Sequence, residues 1–247
     1  MTTIGATDTR SIKLDKFSIS DYKLDFGLQY TYKLNKKNTI NIGAVYTLGR
    51  TLHGDAYKYH QTGTESNGSI YVQSQTGDTI PNPFKMPHTF GIGLTYVYDN
   101  RLTIGVDYTL QKWNTADLAW SKFNKESVEM NSRTKIAFGA EFVPSYISHN
   151  YLKRIRYRMG AYYSSPYNKV SYTSPDTGTT SFQDGAREYG VSIGFGLPMF
   201  QSKSMLNISG QYIKVSPKFK GLMEENYLRI NIGLTFNERW FMKWKVD

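Results

Sequence analysis

Cysteine is absent from this chain of 247 residues, so there is no disulfide framework, thiolate metal site or cysteine nucleophile to consider. Long hydrophobic runs are absent too. No stretch approaches the roughly 20 apolar residues that a spanning helix needs, which excludes a helical membrane protein. Histidine is scarce, at 4 residues, and His53, His60, His88 and His149 show no spacing of the zinc-motif type, so no metal or other cofactor is expected. The opening residues, Met1 to Arg10, lack the basic start and apolar stretch of a secretory signal. For an exported protein, that implies a mature chain or an internal piece of a longer one.

What the chain has instead is tyrosine, glycine and positive charge. Aromatic residues make up 15%, led by 20 Tyr, and 21 Gly stand against 8 Pro, a balance that suits long strands joined by turns. Tyrosine, with an apolar ring and a polar tip, suits a membrane interface or a carbohydrate-binding surface. The formal charge of +10 first suggests nucleic acid. However, the cations sit in turns, at strand ends and within alternating strands rather than in a run or helical stripe, so no nucleic-acid partner is expected. A mean hydropathy of -0.50 resembles that of a soluble protein, but a membrane β-barrel turns only every second strand residue to lipid and need not score higher.

Period-two alternation is the clearest signal in the sequence. Tyr22, Leu24, Phe26, Leu28, Tyr30, Tyr32 and Leu34 form one apolar stripe, and Ile40, Ile42, Ala44, Tyr46 and Leu48 resume it after a turn. Further stripes start at Phe90, Leu102, Ile136, Ile155, Tyr189 and Leu206, and the ninth runs from Leu228 to Phe236. The third and fourth are joined by Asp99-Asn100, a favourable short hairpin turn because both residues tolerate positive φ. Connections alternate in length: short at Asn35 to Asn38, Asp99-Asn100, Pro144 to Lys153 and Pro198 to Lys203, long and polar at Gly49 to His88, Asn114 to Asn131, Ser165 to Gly185 and Ser216 to Glu225. Outer-membrane up-and-down barrels have this rhythm, with short periplasmic turns and long outer loops. The expected fold is therefore all-β: an antiparallel transmembrane β-barrel with nine or ten strands present, forming one domain over 1–247. Within it, 1–21 is an outer loop or partial strand, Thr3 to Thr7 alternates faintly, and 237–247 is a periplasmic tail bearing Trp240, Phe241 and Trp244.

Which face meets lipid follows from the opposite stripe. Lys23, Asp25, Asp107, Arg133, Lys135, Glu141, Arg156, Arg158 and Glu188 all lie on it, as a barrel interior holding water or a plug requires. Arg133 and Lys135 on the fifth strand, with Arg154, Arg156 and Arg158 on the sixth, form a basic strip on adjacent strands. Arginine gives bidentate, permanently charged recognition of carboxylates, so Arg133, Lys135, Arg156 and Arg158 are candidate ligand-binding residues for an amphiphile's acid head. The alternative is that these cations pair with Glu141, Asp107 and Glu188 to satisfy a packed lumen. Gly194-Phe195-Gly196 lies inside a strand and opens no helix, so it is no phosphate loop. No nucleophile, base and orienting set is recognisable, and no enzyme is expected. Trp113 and Trp120 flank an outer loop and suit an interface seat.

The closing segment ENYLRINIGLTFNERWFMKWK, the stretch FKMPHTFGIGLTYVYDN with RLTIGVDYTLQKW after it, and SIGFGLPM resemble outer-membrane transport proteins of the FadL/OmpP1/TodX type, particularly their Bacteroidetes-like branch. The likeness spans about Pro81 to Lys245 and is one of strand texture rather than of a catalytic motif. It implies a 14-stranded barrel with an N-terminal hatch, of which this chain supplies the C-terminal part. It also implies passive outer-membrane transport of hydrophobic or amphipathic compounds such as long-chain fatty acids. Implied partners are a hydrophobic small-molecule ligand, outer-membrane lipid and, during biogenesis, the barrel-assembly machinery. The alternative is a structural or secretion-associated barrel whose long loops or tail engage partner proteins. A lined apolar route through the lumen favours transport, whereas a filled lumen with large ordered outer loops favours partner engagement.

Overall fold

In the computed structural model the described residues are 9–66, 69–115, 129–173, 180–199, 204–217 and 223–236. Nine strands form one antiparallel sheet, and each follows an expected stripe: β2 (Asp25–Lys33), β3 (Asn38–Thr47), β8 (Thr89–Tyr98), β9 (Leu102–Gln111), β10 (Arg133–Phe142), β11 (Arg156–Ser164), β14 (Ala186–Pro198), β15 (Met205–Pro217) and β16 (Glu225–Thr235). Every neighbour in the sheet is also the next of these nine in sequence, so the topology is up-and-down. β2 and β16 are the two edges. The Asp99-Asn100 turn adopts positive φ at both residues, 49° and 53°, and Arg101 N–H closes it on the Tyr98 carbonyl at 2.8 Å, as its residues require.

The ladder register aligns the apolar stripes. One transverse row runs Tyr30, Ile42, Leu94, Val106, Phe138, Ala161, Val191, Tyr212 and Leu228, each directly opposite the next. A one-residue slip at any pair would break this row by turning a stripe to the other face. The aligned face is not packed on anything: Leu28 is 75% exposed, Met159 63% and Ile230 68%. Nine strands at about 4.8 Å spacing, with about 26 Å of apolar stripe along each, make a patch of about 1,000 Å². Left in water, that patch would cost about 25 kcal/mol at about 25 cal/mol/Å². Soluble monomers rarely expose more than a few hundred Å² of contiguous apolar surface, so this face is far larger than a water-facing surface of a monomer carries. Aromatic contacts lie near both ends of the stripes: Phe26, Tyr46 and Phe90 at the outer end, with centroids 6.4 and 5.0 Å apart, and Tyr157 against Phe195 at the inner end, at 6.0 Å. Aromatic belts at both ends of an apolar band are the pattern that membrane barrels place at their two interfaces.

Beyond the outer end the chain is more ordered than its polarity suggests. The segment Gly49 to His88 contains β4 (Arg50–Thr51), β5 (Gly54–Ser66), β6 (Ser69–Pro81) and β7 (Lys85–Met86). β5 and β6 form a hairpin of two 13-residue strands, roughly 44 Å long at about 3.4 Å per residue. The expected partial strand near the start is β1 (Thr9–Ile19). It does not become a tenth member of the large sheet; all 11 of its residues pair with β5, giving a separate three-stranded sheet in the order β1-β5-β6. The faint alternation at Thr3 to Thr7 lies outside the described residues, as does the tail 237–247. Another outer connection carries the hairpin of β12 (Lys169–Thr173) and β13 (Thr180–Asp184). On the short-turn side, Pro144 to Lys153 includes a one-turn helix, Tyr151–Arg154, whose start is capped by Asn150 Oδ1 accepting from Leu152 N–H at 3.0 Å.

Candidate functional site

The expected basic strip divides into two separate clusters on the polar face. Near the short-turn end, Glu141 lies opposite Arg158 across the β10–β11 ladder. Its carboxylate takes both neighbouring guanidiniums, accepting from Arg156 Nη1 at 3.0 Å and from Arg158 Nε at 2.7 Å. Arg158 Nη1 also donates to Asn207 Oδ1 at 2.7 Å, tying β10, β11 and β15 together. Arg154 does not belong to this strip: it sits in the one-turn helix with its Cζ 5.7 Å from the Tyr151 ring centroid.

Nearer the outer end, Arg133 donates from Nε to Ser164 Oγ at 2.7 Å and lies 3.8 Å from Glu188. Glu188 accepts from the Tyr162 hydroxyl at 2.5 Å, and Lys135 Nζ sits 4.7 Å from the centroid of the same Tyr162 ring. Gly190, directly opposite Tyr162, leaves the space that ring occupies; a Cβ there would collide with ring atoms. Thus Arg133, Arg156 and Arg158 each have a carboxylate within 4 Å, and Lys135 rests on an aromatic ring. Asp107 behaves differently. Among the described residues no cation lies within ion-pair distance of it, and its carboxylate lies over Gly93, directly across the ladder.

The polar face is asymmetric as a result. Over β10 to β15 it carries the charged clusters, whereas over β2, β3, β8 and β9 it is mostly glycine, threonine and amides, with Asp107 on β9 and the Lys23–Asp25 pair at the outer end of β2. Gly27, Gln29, Asn41, Gly43, Gly93, Thr95 and Asp107 border a trough of about 420 Å³ there.

A third constellation, absent from the sequence expectations, anchors the outer sheet. Asp21, in the link from β1 to β2, accepts from the backbone N–H of His53 at 2.9 Å and of Tyr22 at 2.7 Å, and pairs with Arg50 at 3.2 Å. Its side chain is only 6% exposed. The His53 backbone N–H, with those of Tyr22 and the charge of Arg50 assisting against desolvation, lowers the carboxyl to about 2. The Arg50 guanidinium lies 4.0 Å from the centroid of the Tyr22 ring. Ser20 N–H adds a bond to the His53 carbonyl at 3.2 Å. Nothing in the pattern of residues 20–53 shows this clamp, because it needs the β1–β5 pairing to bring Asp21 to His53.

His88 lies in the connection between β7 and β8, as the long-loop assignment implies, and its ring joins the aromatic cluster at the outer end. Its ring stacks on Tyr46 at 6.0 Å, and Nδ1 lies 2.8 Å from the Tyr46 hydroxyl. Trp113 sits in a short 3-10 turn 5.7 Å from Tyr167 and donates to Gln111, while Trp120 lies outside the described residues.

A family model described as BamG matches residues 2–247, nearly the whole chain. The chain belongs to the BamG family. No curated protein and no solved structure matches it. Membership of the BamG family, with an all-β sheet whose apolar face points outward, associates the chain with the outer membrane.

Proposed function

We propose that this BamG-family chain is an outer-membrane β-barrel component that works with the barrel-assembly machinery, engaging partner proteins through its outer sheet. The family match over residues 2–247 carries this reading, since the family's name points to barrel assembly. Two structural features support it. The longest outer connection joins β1 in a three-stranded sheet clamped at its base by Asp21, Arg50 and His53, a rigid projection rather than a polar tether. In addition, the lumen-facing cations of β10 and β11 are held by Glu141, Glu188 and Tyr162, which suits a filled, structural interior.

The test is co-isolation. The tagged chain, expressed at native level and extracted in mild detergent, is expected to bring down the central barrel of the assembly machinery. Replacing residues 55–80 by a short glycine linker is expected to abolish that association while leaving the heat-dependent gel mobility of a folded barrel intact. Absence of any assembly component from the wild-type isolate would remove the proposal.

A second reading, passive diffusion of hydrophobic or amphipathic molecules such as long-chain fatty acids, is supported by the glycine-lined trough over β2 to β9. In that reading Arg133, Lys135, Arg156 and Arg158 bind the acid head, which requires a ligand carboxylate to compete with Glu141 and Glu188. Fatty-acid uptake into proteoliposomes tests it, with Arg156→Gln and Arg158→Gln expected to lower uptake.

A further inference from the structure

Four outward-facing stripes end on a cation at the outer side of the sheet. On β3 the stripe passes from Leu48 to Arg50, on β9 from Leu110 to Lys112, on β14 from Tyr189 back to Arg187, and on β15 from Tyr212 to Lys214. At the inner ends of the same stripes the corresponding positions are Asn38, Asn100, Met199 and Ser204, all neutral. On these four stripes the cation therefore stands at the outer end alone, whereas the stripes of β2 and β11 run on to Lys36 and Lys153 at the inner end.

Two of these cations lie over aromatic rings at the outer end. Arg50 is 4.0 Å from the Tyr22 centroid, and Lys112 Nζ is 5.5 Å from that of Phe90. Their aliphatic stems can follow the apolar surface while their heads stay at headgroup level. Beneath Arg50 lies a largely apolar hollow of about 190 Å³, bordered by Tyr22, Leu48, Leu52 and Met86. Arg50 shares its charge with Asp21 and Lys214 with Glu224. Among the described residues no carboxylate lies within ion-pair distance of Lys112 or Arg187.

We propose that these cations form a collar for an anionic, phosphate-bearing lipid of the outer leaflet. Lys112 and Arg187 take the headgroup phosphates, Arg50 and Lys214 contribute their fields, and the acyl chains lie on the apolar rows and in the hollow below Arg50. The collar rests on the outer-membrane reading above and adds to it the lipid class and the side. The occupant follows from complementarity: the site has cations above a continuous apolar wall, and a phospholipid or glycolipid with charged phosphates has the matching order. A neutral lipid would leave Lys112 and Arg187 without a counter-ion, and a soluble acidic protein would leave the wall uncovered.

The experiment uses the purified full-length chain in neutral detergent mixed with diphosphorylated lipid A or, separately, phosphatidylcholine. Bound lipid is quantified by phosphorus after size exclusion. Wild type is expected to retain lipid A well above phosphatidylcholine. Lys112→Gln with Arg187→Gln is expected to weaken lipid A retention about 30-fold, about fivefold for each cation. Lys112→Arg with Arg187→Lys keeps the charge and is expected to restore retention. Lys36→Gln with Lys37→Gln, in an inner turn, is expected to leave it unchanged. Gel mobility confirms that each variant is folded. Equal retention of lipid A by wild type and the folded double Gln variant overturns the proposal, as does equal retention of both lipids by wild type. In either case the chain's presence in the outer-membrane fraction of cells is scored independently, so that failure of the collar is told apart from failure of the membrane reading.

Discussion

Replacing Glu141 by Gln removes the one negative charge that holds Arg156 and Arg158 while keeping its shape. Glu141 accepts two charge-assisted hydrogen bonds, at 3.0 and 2.7 Å. Such bonds contribute about 1.5 to 3 kcal/mol each when well shielded. Here shielding is partial: the side chains of Glu141, Arg156 and Arg158 are 25%, 32% and 38% exposed, so the contribution must be discounted for solvent screening. Gln also retains one acceptor oxygen, and the net loss comes to about 1.5 kcal/mol. For a chain of this size that corresponds to a fall of about 4 °C in the melting midpoint. The assay is the temperature at which gel mobility shifts in detergent, backed by tryptophan fluorescence. Arg156→Gln alone is expected to cost less, because Arg158, Glu141 and Asn207 stay connected. Combined with Glu141→Gln it should be non-additive, with a coupling of at least about 0.5 kcal/mol. A Glu141→Gln protein as stable as wild type at low salt would refute the claim that this carboxylate organises the cluster. The same variant frees two guanidiniums, so under the transport reading it should take up acidic amphiphiles better, not worse.

Three further outcomes follow from the geometry. Asp21 has a folded-state pKa of about 2, below the ordinary carboxyl value of 3.8, so its stabilisation of the outer-sheet clamp is complete above about pH 4 and is lost as pH falls toward 2. The protection of the Lys13 to Ile19 amides, measured relative to the intrinsic exchange rate at each pH, should therefore fall over that window in wild type, and Asp21→Asn should be poorly protected at neutral pH with no such step. Ile193→Lys puts a charge in the middle of the lipid-facing stripe of β14 and should cost about 2 to 4 kcal/mol and impair insertion into liposomes, whereas Thr95→Lys on the polar face of β8 should insert normally. Gly190→Ala should drive the Tyr162 ring off Glu188 and cost about 1 to 3 kcal/mol, while Gly139→Ala, with nothing within 4 Å of its added methyl, should change stability by less than about 0.5 kcal/mol.

The nine strands of the large sheet were legible because one face is apolar and the other polar, a division that imposes period two on the residues themselves. The outer sheet was not legible for the converse reason. In β1, Leu14 and Phe17 fall on opposite faces, and β5 and β6 bury only scattered apolar residues such as the paired Ala56 and Ile80, so no stripe marks them; backbone ladder bonds define those strands instead. The basic strip was visible from the positions of Arg133, Lys135, Arg156 and Arg158 on one face. Which acid takes which base depends on register: Glu141 opposite Arg158 and Ser164 opposite Glu188 follow from the β10–β11 and β11–β14 pairings. Asp107 shows the limit of that reasoning. It shares the face with the cations, but its transverse row brings it to Gly93 and Ala137, away from any of them.

The central claim is that the apolar stripe faces lipid, and the lack of native cysteine makes a direct measurement clean. Single cysteines at Val191, Ser192, Ile193, Gly194 and Phe195 of β14, each spin-labelled in the full chain in liposomes, report collision with oxygen or with a water-soluble nickel complex. Oxygen access should peak at Val191, Ile193 and Phe195, and nickel access at Ser192 and Gly194. The opposite alternation, or no alternation, would contradict the account.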